Sequence, residues 1–157
     1  MEHPNGIKSL DFFTSGSAVF TVDNGRVDKD HRRYTYWIQE RKHYGGVLHH
    51  YVRYLAGADN TNWRNYIYLG MLNTDDDTWL VEPTTKSRFT SSHNLFQAIN
   101  WALEVVRGGN PPPANALIIH EGRCARCSRR LTTPESITRG IGPECLSKIQ
   151  KEERGAK

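Results

Sequence analysis

The chain has few of the features that mark membrane proteins, secreted proteins and the familiar enzyme classes. Its 157 residues contain no apolar run near the length of about 18 that a membrane helix needs. Residues 1–6 lack the apolar stretch of a signal peptide. We find no nucleophile elbow, phosphate-binding loop, paired-carboxylate signature or internal repeat. These absences predict a cytoplasmic protein that is not an enzyme and has neither a membrane partner nor a small-molecule substrate.

Cysteine is also scarce, and its placement is informative. The three cysteines are Cys124, Cys127 and Cys145. Two residues separate the first pair and seventeen separate Cys127 from Cys145, a spacing within the range of zinc ribbons and related sites. A cytoplasmic protein keeps its thiols reduced, and thiolates suit zinc. The spacing therefore predicts one structural zinc ion, with a redox pair or unpaired thiols as the alternatives.

A structural zinc ion needs a fourth ligand, and His120 is the nearest further donor in the sequence. It precedes Cys124 by four residues, at the end of a predicted strand. We therefore predict a Cys3His site. The alternative is a surface histidine, with water or another side chain completing the coordination shell. A zinc-bound water would allow catalysis, for which Glu121 and Glu144 are the candidate acid–base residues.

Two short helices are predicted to carry the rest of the site. Residues 132–135, Thr-Thr-Pro-Glu, are typical of a helix start, and Gly140 is typical of a helix end. Pro143 opens a second helix whose first turn presents Cys145, where the positive helix end favours a thiolate. This arrangement is similar to a treble-clef finger, except that Lys148 stands where such fingers carry a second ligand on the last helix.

The motif Cys-x-x-Cys-x-Arg-x-Leu-Thr-x-Pro-Glu-Ser-Ile, followed by Gly-Ile-Gly-Pro-x-Cys, resembles a known family. It is similar to a zinc-binding domain of unassigned function in short proteins of bacteriophages, plasmids and actinobacteria. The resemblance covers about residues 120–147, and residues 16–60 more loosely resemble the small domain that precedes it in such proteins. It implies a fold, a bound zinc ion and a mobile-element origin, and hence the host cytoplasm for a phage-encoded protein. It implies no activity.

The part before the cysteines predicts an α+β fold, an antiparallel sheet of about five or six strands with one packing helix. A cap at Ser91 or Ser92 starts the helix, apolar residues recur at steps of three and four up to Val106, and Gly108-Gly109 ends it. The predicted strands are residues 17–23, 33–40, 47–56, 66–72, 78–82 and 116–119. The predicted domains are the sheet and helix (1–110), a proline-rich linker and strand (111–119), and a treble-clef-like zinc finger with a basic tail (120–157, the finger).

A nucleic-acid surface is predicted from charge and aromatic residues. Residues 121–157 contain nine Lys/Arg and five Asp/Glu, which accounts for the whole net charge of +4. Aromatic and basic side chains alternate from His31 to Tyr54, as on sheets that stack bases and neutralise phosphates, although strands also use aromatics for packing. The predicted contacts are Arg123, Arg126, Arg129, Arg130 and Arg139 in the finger and Arg33, Tyr36, Trp37 and Arg53 in the sheet.

Two functional hypotheses follow for a non-enzymatic zinc protein of a phage or mobile element. It is a nucleic-acid-associated accessory protein, or it binds a host protein and inhibits or redirects it. A zinc-dependent enzyme is the remote third alternative. Two other clusters are predicted to have no functional role. Asp75, Asp76 and Asp77 form a solvated turn, and His49 and His50 lie on opposite faces of a strand and cannot chelate together.

Overall fold

A computed structural model describes residues 3–108 and 111–155, which form an α+β fold around one antiparallel sheet of six strands. The spatial order is β5-β4-β3-β2-β1-β6, so the first five strands form a meander and the last strand joins beside the first. The predicted fold class is confirmed, and strand ends differ from the prediction by at most two residues. The strands are β1 (Ser17–Asp23), β2 (Arg33–Lys42), β3 (Leu48–Leu55), β4 (Tyr66–Asn73), β5 (Leu80–Glu82) and β6 (Leu117–His120).

Alternation along the strands gives the sheet one buried face and one open face. Residues Tyr36 and Ile38 of β2 are fully buried, whereas Trp37 between them points to the opposite side and is half-buried. A bulge in β4 shifts the register between Val52 and Arg53, so that both Leu69 and Gly70 can lie on the core side. The buried face is lined by Ala18, Phe20, Val22, Tyr36, Ile38, Val52, Leu69, Leu72, Val81 and Ile118.

Helix α1 (Asn94–Gly108) covers the buried face of the sheet. It starts one to two residues later than predicted, because residues 90–93 form a turn and the Leu95 N–H donates to Nδ1 of His93. The predicted stop at Gly109 lies outside the described residues. The apolar stripe is buried as predicted, and the Tyr36 hydroxyl donates to the Leu95 carbonyl at 2.7 Å. None of the helices in the described residues is long and apolar enough to cross a membrane.

Both edges of the sheet are covered, so neither presents a full row of free backbone groups. At the β5 edge the Asn100 side chain accepts from the Val81 N–H and donates to the Val81 carbonyl. At the β6 edge the Ile7 N–H donates to the Ile118 carbonyl, and the His120 N–H donates to the Asn5 carbonyl. Covered edges disfavour pairing with another chain.

The finger contains helices α2 (Pro134–Arg139) and α3 (Pro143–Gly155). It packs against the end of the sheet where β6 ends and β1 begins. The Ser17 N–H donates to the Ala125 carbonyl, and the Phe12 ring stacks on the His120 ring at 5.9 Å. Buried finger side chains, including Leu131 and Ile141, belong to the same apolar core as Phe12. The predicted domain boundaries remain a prediction, but β6 is part of the sheet and the core continues into the finger.

Candidate metal centre and the adjoining sheet face

A tight turn brings the first two cysteines together. The Cys124 N–H donates to the Arg129 carbonyl, and the Ser128 N–H donates to the Cys124 carbonyl at 3.0 Å. Ser128 has a left-handed φ of 66°, which closes the turn. Because two residues lie between Cys124 and Cys127, both thiols can point to the same side of it.

The third cysteine is delivered by the predicted helix pair. Thr133 and Ser136 form a capping box at the start of α2, and Gly140 ends that helix in the left-handed conformation. Helix α3 then begins at Pro143, and Cys145 lies in its first turn. The predicted helix starts and the predicted stop are confirmed.

The three thiols form a cluster that can hold a metal ion. Their Sγ atoms all lie within 4.8 Å of one another, with Cys124 and Cys145 buried and Cys127 exposed. Thiolates bound tetrahedrally to zinc lie about 3.8 Å apart, given a Zn–S distance of about 2.3 Å. The arrangement is therefore compatible with a small zinc site.

The thiols differ in acidity. Burial raises the pKa of Cys124, but N–H groups of Gly142, Cys127 and Arg126 outweigh this and leave its pKa below the ordinary value. Burial and the two neighbouring thiols raise the pKa of Cys145 to about 12, so the start of α3 does not by itself favour the thiolate there. A divalent cation at this cluster would supply the missing positive charge, since coordinating thiols lose their protons.

The structure does not bring His120 to the three thiols, as the predicted Cys3His site would require. The ring is 2% exposed and lies under Phe12, and only the three cysteines form the cluster in the described part of the chain. Nδ1 accepts from the Gly122 N–H at 2.9 Å, so Nε2 donates to the Ile137 carbonyl at 2.6 Å. Burial lowers the pKa of His120, which favours this neutral form. Neither ring nitrogen keeps a lone pair for a metal ion.

Replacing His120 by alanine is expected to leave metal binding intact and to lower the free energy of unfolding by about 2–4 kcal/mol. The loss arises because the Gly122 N–H and the Ile137 carbonyl lose buried partners and a cavity opens under Phe12. Metal content and denaturant unfolding of the metal-loaded protein measure the two effects. His49→Ala, on the open sheet face, is the control and should change neither quantity much. Loss of metal from the His120→Ala variant would show that His120 is a metal ligand.

Neither glutamate considered for catalysis joins the cysteine cluster. Glu121 accepts from the Thr21 hydroxyl at 2.8 Å and from the Asn60 side-chain amide at 2.9 Å. Glu144 pairs with Arg129 at 3.4 Å, and both side chains are exposed. Among the described residues, the cluster thus offers three protein ligands, and a fourth position is left for a ligand from outside it.

The predicted finger arginines fall into three groups. Arg126 pairs with Glu152 at 2.6 Å and Arg129 with Glu144, so intramolecular acids offset these charges. Arg123 donates to the Ser128 carbonyl and is exposed. Arg130 and Arg139 are exposed and form no ion pair within residues 3–108 and 111–155, which makes these two and Arg123 the more available cations.

The open sheet face contains three of the four predicted sheet contacts. The Arg53 guanidinium lies over the Trp37 ring at 5.3 Å, and Arg33 pairs with the buried Asp23 at 2.9 Å. Tyr36 is a wrong prediction: it is fully buried against α1, so its ring cannot reach a base. Tyr68, the cross-strand partner of Arg53, was not predicted and lies on the open face.

The other two clusters are as predicted. Asp75, Asp76 and Asp77 form an exposed turn in which Asp77 pairs with Arg107. The rings of His49 and His43 lie 4.2 Å apart on one side of the sheet, while His50, buried, contacts Glu40. Neither cluster contributes to a metal-binding group in the described parts of the chain.

A groove of about 500 Å³ joins the open sheet face to the finger. Tyr66, Trp63 and Asn60 line it, and none of them was predicted as a site residue. The signal for this groove was an exposed tryptophan in a polar loop, since loops that carry large exposed side chains often bind. Trp37, Glu121 and Arg123 also line the groove.

The comparisons agree with the finger and add no activity. Residues 119–150 match the model of a family of unknown function, DUF6011. This match spans the three cysteines and covers about a fifth of the chain. Searches of curated proteins and of solved structures found no match. The C-terminal part of the chain is thus similar to a family whose function is not known.

Proposed function

We propose that the protein is a non-enzymatic accessory protein of a phage or mobile element that binds single-stranded nucleic acid. One structural zinc ion holds its finger against the sheet. The observation that carries this proposal is the groove lined by Trp37, Trp63 and Arg123, which places aromatic rings and an arginine side by side. Every base has a π-face that can stack, and every phosphate has a charge that arginine can neutralise.

Zinc is the metal that these ligands favour. Thiolates are soft ligands that suit zinc, and the three cysteines supply three of the four donors of a tetrahedral set. A structural role is supported because Cys124 and Cys145 are buried beside Leu131 and Ile141, which tie the ligands to the apolar core. The candidate acids Glu121 and Glu144 bind other partners, which argues against zinc-dependent catalysis.

Salt-dependent binding tests the proposal. Titrations of labelled DNA and RNA, single- and double-stranded, are made at several salt concentrations. Single strands are expected to bind best, with a slope of log affinity against log salt of about −2 to −3, because each neutralised phosphate contributes about 0.7. The double variant Arg123→Ala/Arg130→Ala should reduce this slope by about 1.4 without releasing zinc.

The matched control removes two charges elsewhere. Arg26 lies beyond the β1 end that is away from the finger, and Arg107 lies on α1 and pairs with Asp77. The variant Arg26→Ala/Arg107→Ala should bind single strands with a nearly unchanged slope. Absence of binding by every nucleic acid at low salt would refute the proposed function.

Binding of a host protein is the second candidate, and one observation favours it. The turn between β2 and β3 exposes three large apolar side chains, Tyr44, Val47 and Leu48. Contiguous exposed apolar surface is typical of protein contacts. A partner recovered from host lysate after nuclease treatment, and lost on Tyr44→Ser/Leu48→Ser substitution, would support this candidate.

A further inference from the structure

The groove that joins the sheet to the finger has an exposed tryptophan at its rim, Trp63, whose ring carries the Arg64 guanidinium over it at 5.5 Å and is otherwise open to solvent. Trp63 is 65% exposed, although it sits in an ordered turn where the Asn62 side chain accepts from the Arg64 N–H. Trp37 and Tyr66 lie deeper in the groove, with ring centroids 5.6 Å apart. A planar side chain held at the rim of a groove of this volume suits a flat ligand that stacks.

Glu121 is the acidic group of the same groove. Thr21, itself 2% exposed, donates to one carboxylate oxygen, and Asn60 donates to the other. Within the described residues Glu121 forms no ion pair at 4.0 Å or less, although Arg123 lines the same groove. A carboxylate has about four lone-pair positions, and these two bonds leave each oxygen able to accept once more.

We propose that this groove binds a single unpaired guanine base of a nucleic-acid strand. Guanine presents two adjacent donors, N1–H and the N2 amino group, on its Watson–Crick edge, and these match the two oxygens of Glu121. Adenine and cytosine place an acceptor beside their amino group, and uracil and thymine have one donor, so none of them matches. Trp63 supplies the stacking surface, and Arg123, on the groove wall, the phosphate contact.

This inference rests on the proposed binding of single strands, and its test separates the two. Thymine oligonucleotides that carry one central dG or one central dA are titrated at a fixed salt concentration. The dG strand is expected to bind roughly tenfold more tightly, since a bidentate contact discriminates between bases by about that factor or more. Equal affinity for the two strands overturns the guanine pocket and leaves strand binding standing. No binding of either strand overturns both.

Glu121→Gln and a matched acid-to-amide control, Glu135→Gln, identify the group responsible. The glutamine amide places a donor against a donor of guanine, so the dG preference should fall to about twofold or less, with zinc content unchanged. Glu135 is exposed at the start of α2, away from the groove, and its variant should keep the full preference. Persistence of the preference in Glu121→Gln overturns the assignment of Glu121.

Two further measurements test whether Trp63 stacks on the base and whether the base belongs to a strand or to a free nucleotide. Trp63 is mostly exposed, so Trp63→Ala should leave the fold intact. The variant should bind the dG strand roughly tenfold more weakly. Undiminished binding by that variant contradicts a stacked base at the groove rim. GMP should compete only weakly, because it lacks the remaining strand contacts. If GMP binds as tightly as the strand, the ligand is a free nucleotide and the strand-base proposal is overturned.

Discussion

Cys145→Ser is expected to release the zinc ion and to unfold the C-terminal part of the chain. The variant removes one of the three thiols that lie within 4.8 Å of one another, and serine is a poor zinc ligand. Structural zinc contributes about 10–16 kcal/mol of apparent binding free energy in zinc-finger peptides. Proteolysis and hydrogen exchange should show early loss of protection after about residue 121, in α2 and α3.

Cys145→Ser should also destabilise the sheet, because the apolar core of the finger is continuous with that of the sheet. Phe12 shares this core with Cys124, Cys145, Leu131 and Ile141. The thermal midpoint of the whole chain is therefore expected to fall. A chelator applied to the wild-type protein is the matched control, and it should reproduce the effect and add little to the Cys145→Ser variant. If the variant keeps stoichiometric zinc and unchanged protection, the cysteine site is wrongly assigned.

Gly140→Ala is the second change with a large expected effect, a loss of about 2–4 kcal/mol of unfolding free energy. Gly140 has a φ of +74°, which L-residues adopt at a cost, and an added Cβ would lie 2.7 Å from the Phe12 ring. Phe12 is 2% exposed and packs between Phe13, Phe20 and the finger, so it cannot move aside cheaply. Denaturant unfolding of the zinc-loaded variant measures the effect.

Gly122→Ala is the control that isolates packing from backbone strain. Gly122 has a similar φ of +78°, but no atom lies within 4 Å of an added Cβ. We expect it to cost about 1 kcal/mol, the backbone component alone. The same experiment tests the predicted division at residues 110 and 120. If Gly140→Ala lowers the stability of the finger alone and spares the sheet, the finger is an independent domain.

Local patterns were sufficient for most of the secondary structure. Alternation placed Tyr36 and Ile38 on one face of β2 and Trp37 on the other, and proline with a hydroxyl cap placed α2. Ile38 is a core residue, so Tyr36, two positions earlier on the same strand, lies in the core with it. The error was to treat Tyr36 as a binding residue because of its chemistry, although its strand position already paired it with a core residue.

The spacing of His120 and the cysteines could not show whether the histidine reaches the thiols, because tertiary contacts orient its ring. Its ring nitrogens bind Gly122 and Ile137, and Phe12 from the N-terminal turn packs on it. The groove was missed for a related reason. Trp37, Trp63 and Glu121 come from a strand, a loop and the start of the finger, and only the pairing of β6 with β1 brings Glu121 to the sheet.

Zinc stoichiometry measured by native mass spectrometry tests the central claim most directly. The protein is purified without a metal-affinity tag, and the wild type is compared with Cys145→Ser and His120→Ala. We expect one zinc ion per chain in the wild type and in His120→Ala, and none in Cys145→Ser, because the three thiols form the cluster and the histidine ring is bound to the backbone. A wild-type chain without zinc, or loss of zinc from His120→Ala, would contradict this assignment.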